Sequence, residues 1–249
     1  MKAVRIHNHG GLDVLKYDSL DEPICNPNKI KIKIKAAALN HLDIWVRNGL
    51  PGIKIPLPLI MGSDGSGEIV EIGKDINKFN LGDKVVVQPG TFPDNCKFVK
   101  EKKENFSKYY GILGETENGI QSEYVTLSPK NIHLMSNHLS FEESASMQLV
   151  FMTSYQMLVK RAKLKENEFV LIYGATSGVG SAAIQIAKDM NAKVITTVGS
   201  KDKFNYAHDM GADYVLDHSK PYTSIIKDIT NNNGVDVVFE HIGPITWND

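Results

Sequence analysis

The segment Tyr173-Gly174-Ala175-Thr176-Ser177-Gly178-Val179-Gly180 limits the fold of this chain more than any other. It directly follows the apolar run FVLIY at residues 169–173 and opens a helical pattern over residues 178–190. Small residues between a strand and a helix let the backbone turn sharply and approach an anion closely. The helix N-terminus supplies unpaired N–H groups and positive potential. Ala175 and Ser177 replace the first and middle glycines of a G-x-G-x-x-G pattern, so the strand–turn–helix context carries the reading. It makes Ala175, Thr176, Ser177, Gly178, Val179 and Gly180 candidate contacts to the pyrophosphate of a dinucleotide.

The residues after this turn alternate between strand and helix. Val179, Ala182, Ala183, Ile186 and Ala187 recur at core-facing helical spacing. Strands are expected over 194–198, 214–216 and 235–239, and helices over 201–210 (closed by Gly211) and 222–232. A continuous apolar strand such as FVLIY suits a parallel sheet buried on both faces. The alternation predicts an α/β, right-handed, doubly wound Rossmann sheet, cut short at Asp249 after about four of the usual six strands. At the end of the fourth strand, Ile242 and Gly243 lie where backbone contacts to a cofactor are expected.

The end of the second strand speaks to cofactor type. An NAD site places an acidic residue about 20 residues after the glycines, where it accepts hydrogen bonds from the ribose. This chain has Val198-Gly199-Ser200, then Lys201, Asp202 and Lys203. Gly199 leaves room for a 2′-phosphate, Ser200 can donate to it and Lys203 can neutralise it. The reading favours NADPH over NADH, with Asp202 keeping the alternative open.

The first half is β-rich. KIKIKIK at residues 29–35 alternates strictly, with Ile30, Ile32 and Ile34 on one face and lysines on the other, as in a half-buried strand. Residues 67–70 (GEIV) and 84–88 (KVVVQ) read as further short strands, and residues 93–108 as an exposed lysine-rich lobe. Residues 140–162 read as helical, with Ser140 as cap and Glu142 and Glu143 in the first turn. A formal net charge of -1 gives no footprint for nucleic acid or a membrane surface. With only Cys25 and Cys96 there is no disulfide framework, and a reduced, cytoplasmic setting is expected.

Residues 39–49 (LNHLDIWVRNG), 62–67 (GSDGSG), 82–85 (GDKV) and 175–180, in that order, resemble the medium-chain dehydrogenase/reductase superfamily, in its quinone oxidoreductase-like and zinc-type alcohol dehydrogenase-like branch. The resemblance covers essentially the whole chain. It implies a GroES-like catalytic domain over residues 1–127 and a partial Rossmann domain with its lead-in helices over 128–249. It also implies hydride transfer from a nicotinamide to a quinone, enone or other small carbonyl compound. Matched onto this chain, the zinc ligands of related alcohol dehydrogenases fall on Asn40, Ser63 and Leu149, which do not supply three zinc donors. The four structural-zinc cysteines fall on Pro93, Cys96, Val99 and Ser107, so no zinc is expected at either place.

Without a metal, hydrogen-bond donors must meet the negative charge that builds on the acceptor oxygen. Asn40 is the first candidate, through its side-chain amide. Asp43 resembles the family's active-site acid, Thr153 its nicotinamide neighbour, and Trp45 a residue lining the substrate cleft. The leading expectation is thus a zinc-independent, NADPH-dependent oxidoreductase acting on a small electrophile. The alternatives are an NAD(P)-dependent alcohol dehydrogenase or a truncated, non-catalytic nucleotide-binding remnant. The resemblance implies a homo-oligomer for full-length relatives, through a strand that this chain is expected to lack.

Overall fold

A computed structural model describes residues 1–247; Asn248 and Asp249 lie outside the described residues. The chain divides into two compact units, Met1–Leu149 and Val150–Asp249.

The first unit holds ten strands: β1 (Lys2–Ile6), β2 (Leu15–Ser19), β3 (Ile30–Ala38), β4 (Leu59–Ile60), β5 (Asp64–Ile72), β6 (Lys84–Val87), β7 (Gly90–Thr91), β8 (Gly111–Ile112), β9 (Tyr124–Leu127) and β10 (Ile132–Leu134). Helix α1 (His41–Asn48) follows β3, α2 (Lys97–Lys100) lies between β7 and β8, and α3 (Phe141–Ala145) follows β10. Strands β10-β6-β5-β3-β9 form an antiparallel sheet, beside the smaller sheets β2-β1-β4 and β7-β8.

The alternation in β3 works as its pattern requires. Ile30 and Ile32 are fully buried with Ile69, Val85 and Ile132. On the opposite face Lys31 Nζ reaches Glu71 at 3.0 Å and Lys35 Nζ reaches Glu68 at 2.8 Å, both across to β5. Ile34 is only half-buried, because a register irregularity between Ile34 and Ala36 interrupts the ladder. Strand β5 is longer than its four-residue signal. Gly65 and Gly67 sit inside it because a Cβ would lie 2.2 Å from Ile120 Cγ2 and from Lys33 O respectively. The lysine-rich lobe is mostly exposed, but it folds a short helix, α2, and a 3₁₀ turn at Glu104–Phe106.

The sequence reading groups residues 128–149 with the second domain; in the structure they pack within the first unit. The physical reason is hydrogen bonding. Strand β10 pairs with β6, and Ser66 Oγ donates to Phe141 O at 2.6 Å. Ser140 caps α3 as its sequence requires, accepting from Glu143 N while Glu143 Oε2 accepts from Ser140 N. The expected single helical stretch is interrupted: α3 is followed by α4 (Gln148–Tyr155) and then a π-helical segment, Gln156–Ala162, closed by Lys163 with φ 55°.

The second unit is a parallel sheet of β11 (Phe169–Ile172), β12 (Lys193–Val198), β13 (Tyr214–Asp217) and β14 (Val237–Phe239), with α5 (Gly178–Asp189), α6 (Phe204–Asp209) and α7 (Thr223–Ile229) as crossovers. Its order, β13-β12-β11-β14, is that of the Rossmann arrangement over these strands. Helix α5 buries Ala182, Ala183, Ile184 and Ala187 completely, while Val179 and Ile186 are half-buried. Gly211, with φ +107°, ends the α6 region as expected. Among the described residues no helix is long and apolar enough to cross a membrane.

Candidate active site

The turn from β11 into α5 is held from several sides within the second unit. Gly174, with φ +65°, sends its N–H to Thr197 Oγ1 at 3.2 Å, and Ala175 N donates to Thr197 O at 2.9 Å. Gly180 must be glycine, since a Cβ there would stand 2.2 Å from Gly174 O. Ser177 Oγ donates to Gly174 O at 2.8 Å and accepts from Gly180 N at 2.9 Å.

His241 Nε2 lies 2.9 Å from the same hydroxyl. A serine hydroxyl has one hydrogen, and here it goes to Gly174 O, so His241 donates from Nε2. Burial pushes the His241 imidazole below its usual pKa, against the pull of the Glu240 charge. Its Nδ1 is buried with no partner among the described residues.

These bonds decide which groups the turn can offer. The N–H groups of Ala175, Ser177 and Gly180 are spent internally. Those of Thr176, Gly178 and Val179 make no hydrogen bond among the described residues, and Thr176 and Gly178 are exposed. The opening of α5 therefore presents three free donors with the helix dipole behind them. This geometry fits a dinucleotide pyrophosphate.

At the end of β12, Gly199 abuts His218, whose Nε2 would lie 2.9 Å from an added Cβ. His218 was not apparent from sequence; the β13-β12 adjacency brings it there. Ser200 bonds the Asp202 carboxylate, which is held below its usual pKa first by that hydroxyl, then by its own N–H and by the Lys203 charge. Lys203 is exposed. At the end of β14, the N–H groups of Ile242 and Gly243 donate to Glu240 Oε1 at 2.6 and 2.8 Å. They are thus committed within the chain, and Gly243 O in turn accepts from Thr246 N at 3.0 Å and Thr246 Oγ1 at 2.9 Å, which leaves the Ile242 carbonyl for contacts. Burial opposes the charged form of Glu240, but hydrogen bonds from Gly243, Trp247, Ile242 and Thr246 outweigh it and pull the carboxyl down to about 2.

Asn40, Asp43 and Trp45 cluster in the first unit, at the opening of α1. Asn40 N donates to Asp43 Oδ2 at 2.7 Å, and Asn40 Nδ2 donates to Asp64 Oδ2 at 3.0 Å. Leu149 N lies 3.1 Å from both oxygens of Asp64. Asp64 is 1% exposed, and burial pushes its carboxyl up to about 6 against the bonds from Asn40 and Leu149, with the Asp43 charge adding to the rise. Burial also raises Asp43, against N–H bonds from Asn40 and Gly62. Asp43 Oδ1 and Ser63 Oγ are buried without partners among the described residues. Trp45 is half-exposed, with its ring edge-on to His41 at 4.8 Å. Thr153 lies on α4, half-buried, in the second unit.

The residues present do not fit a catalytic zinc. The resemblance matches Asn40, Ser63 and Leu149 to the three ligand positions, and leucine offers no side-chain donor. Among the described residues there is no group of three or more His, Cys, Asp or Glu side chains that could hold a metal ion. In the α2 lobe only Cys96 carries sulfur, and its thiol is lowered chiefly by a hydrogen bond from Ser107.

A family profile described as the alcohol dehydrogenase GroES-like domain matches residues 26–137, and one described as zinc-binding dehydrogenase matches residues 178–249. The chain is 30% identical to an NAD-dependent alcohol dehydrogenase of Sulfolobus acidocaldarius, over 98% of this chain and 71% of that protein. It is similar to the crystal structure of an NAD-dependent alcohol dehydrogenase, with 40% identity and a TM-score of 0.94 over 98% of this chain and 71% of the other. It is also similar to Escherichia coli quinone oxidoreductase complexed with NADPH, with 26% identity and a TM-score of 0.83 over 100% of this chain and 68% of the other.

Proposed function

The chain belongs to the medium-chain dehydrogenase/reductase superfamily, and on that premise we propose that it transfers hydride from NADPH to a quinone, enone or other small carbonyl compound without a metal. The family makes it an NAD(P)-dependent oxidoreductase of the quinone oxidoreductase-like and alcohol dehydrogenase-like branch. The observation behind the cofactor reading is the opening of α5, where Thr176, Gly178 and Val179 carry free N–H groups. These three would hold the pyrophosphate, and Lys203 would favour a 2′-phosphate on the adenosine ribose, with Ser200 joining it by turning its hydroxyl away from Asp202. NADPH, when bound, supplies the hydride.

The first unit's residues would answer the charge that hydride arrival places on the acceptor oxygen. Asn40 Nδ2 has two hydrogens, and one is committed to Asp64. The second is the donor assigned to the oxygen, in the manner of an oxyanion-hole amide. Asp43 fixes the opening of α1 by accepting Asn40 N–H, so it acts on the oxygen through Asn40. Trp45, half-exposed on the same helix, would offer an apolar wall to a flat acceptor.

A second reading, NAD-dependent alcohol oxidation, is favoured by Asp202 near the end of β12 and by the likeness to the 40% identical NAD-dependent alcohol dehydrogenase structure. Steady-state oxidation of NADPH and of NADH by a simple ortho-quinone, set against alcohol-driven reduction of NADP⁺ and NAD⁺, separates the two. Faster quinone-driven oxidation of NADPH supports the first, and faster alcohol-driven reduction of NAD⁺ supports the second.

A further inference from the structure

We propose that Asp64 is the positioning residue for Asn40: it sets which way the Asn40 amide faces, and so which atoms the site offers. This deepens the reading above and rests on it. The argument begins with acceptor chemistry. An ionised carboxylate only accepts hydrogen bonds, so the side-chain atom of Asn40 facing Asp64 must be Nδ2. The observed contact, Asn40 Nδ2 to Asp64 Oδ2 at 3.0 Å, has this polarity. The amide cannot turn over without setting Asn40 Oδ1 against a buried carboxylate oxygen.

Asp64 is itself fixed. It opens β5 and is 1% exposed, and both its oxygens accept from Leu149 N at 3.1 Å. Its backbone is paired with Ala38 in β3, two residues before Asn40. The next residue, Gly65, has no room for a side chain, since a Cβ would meet Ile120 Cγ2 at 2.2 Å and Ala36 O at 3.2 Å. The carboxylate is therefore a rigid reference point for the amide.

The placement has a further meaning. Asn40 and Leu149 hold two of the three positions where zinc-binding relatives are expected to present ligands. In this chain the Asp64 carboxylate joins those two segments by hydrogen bonds. Asp64 thus does two separable things: it ties Asn40 and Leu149 to β5 within the first unit, and it orients one amide.

Two variants separate these roles. Asp64→Asn keeps the shape and still accepts from Leu149 N, but its own NH₂ can now donate to Asn40 Oδ1, which lets the Asn40 amide reverse. The double variant Asn40→Asp with Asp64→Asn rebuilds the same hydrogen bond with donor and acceptor exchanged. It restores the tie and removes the N–H of residue 40. The readouts are the thermal midpoint, kcat with an ortho-quinone at saturating NADPH, and the KM for NADPH.

In Asp64→Asn, kcat should fall roughly 10- to 100-fold with the KM for NADPH within about twofold of the parent. The double variant should match the parent's thermal midpoint while its kcat stays as low as that of Asp64→Asn. Full kcat in either variant overturns the proposal, since the polarity of the amide would not matter. A loss that tracks the thermal midpoint in both also overturns it and leaves Asp64 a structural tie. If the parent protein oxidises neither NADPH nor NADH with any acceptor, the functional reading itself fails; a parent that turns over beside an unimpaired Asp64→Asn sinks only this proposal.

Discussion

His241 Nε2 lies 2.9 Å from Ser177 Oγ, joining the end of β14 to the turn that opens α5. The contact completes the hydrogen-bonding capacity of the hydroxyl, which already donates to Gly174 O and accepts from Gly180 N. The turn is thus held from outside its own loop. Replacing His241 with Phe removes the donor and should raise the Kd for NADPH about 3- to 10-fold, as a neutral hydrogen bond of about 1 kcal/mol is lost. Gln keeps an N–H donor and should recover most of the affinity. Quenching or enhancement of nicotinamide fluorescence on titration measures both, and equal affinities in the Phe and Gln variants would contradict the coupling.

Gly180 and Gly178 should respond differently to alanine. At Gly180 the new Cβ meets Gly174 O, a backbone atom with nowhere to go, at 2.2 Å. At Gly178 it meets Val150 Cγ1 at 2.9 Å, the tip of a side chain. Gly180→Ala should cost about 1–3 kcal/mol of stability and most of the NADPH affinity. Gly178→Ala should cost well under half of that. Urea unfolding and cofactor titration of the two variants give the comparison.

The buried Asp64 predicts an unusual stability profile. Its folded-state carboxyl is raised, chiefly by burial, from 3.8 to about 6. The folded chain therefore binds a proton more readily than the unfolded chain between these values. The stability that Asp64 contributes is full below about 3.8 and is lost as pH rises through about 6, with a slope of at most about 1.4 kcal/mol per pH unit. Glu240 has the opposite sign: lowered to about 2, its contribution is present above its ordinary 4.5 and is lost as pH falls below that. The difference in unfolding free energy between the parent and Asp64→Asn, followed from pH 4 to pH 7, should isolate the first effect. A flat difference across that range contradicts it.

Chelation should leave the protein unchanged. Asn40, Ser63 and Leu149 supply no zinc site, and the α2 lobe keeps one sulfur, on Cys96. Prolonged dialysis against a strong chelator should shift neither the thermal midpoint nor turnover, and elemental analysis should find less than one zinc per ten chains, a threshold set roughly by the absence of a closed donor set. A drop in the thermal midpoint that added zinc reverses would count against this account.

Much of the second unit was legible in the sequence because its signals are local. FVLIY, the small residues after it and the apolar spacing of residues 178–190 are contiguous, and β11, the turn and α5 follow them closely. The Ser140–Glu143 cap was readable for the same reason. Strand β5 was harder: Gly65 and Gly67 look like breakers, yet close approaches to Ile120 and Lys33 require them within the strand. The site's supporting residues were least visible. Asp64 meets Asn40 across 24 residues and Leu149 across 85, and His241 meets Ser177 across 64. An ionisable residue amid the glycines and serines of GSDGSG was a signal, but only tertiary structure shows what it holds. Ile242 and Gly243 were placed at the expected sheet edge, whereas the capture of their N–H groups by Glu240 depends on the chain's local turn.

The most direct measurement is the oxidation of NADPH by an ortho-quinone, catalysed by chelator-treated protein. The account predicts turnover that saturates with NADPH, needs no added metal and disappears in Gly180→Ala. Turnover that appears only after zinc is restored, or that shows no saturation with either nicotinamide, would contradict it.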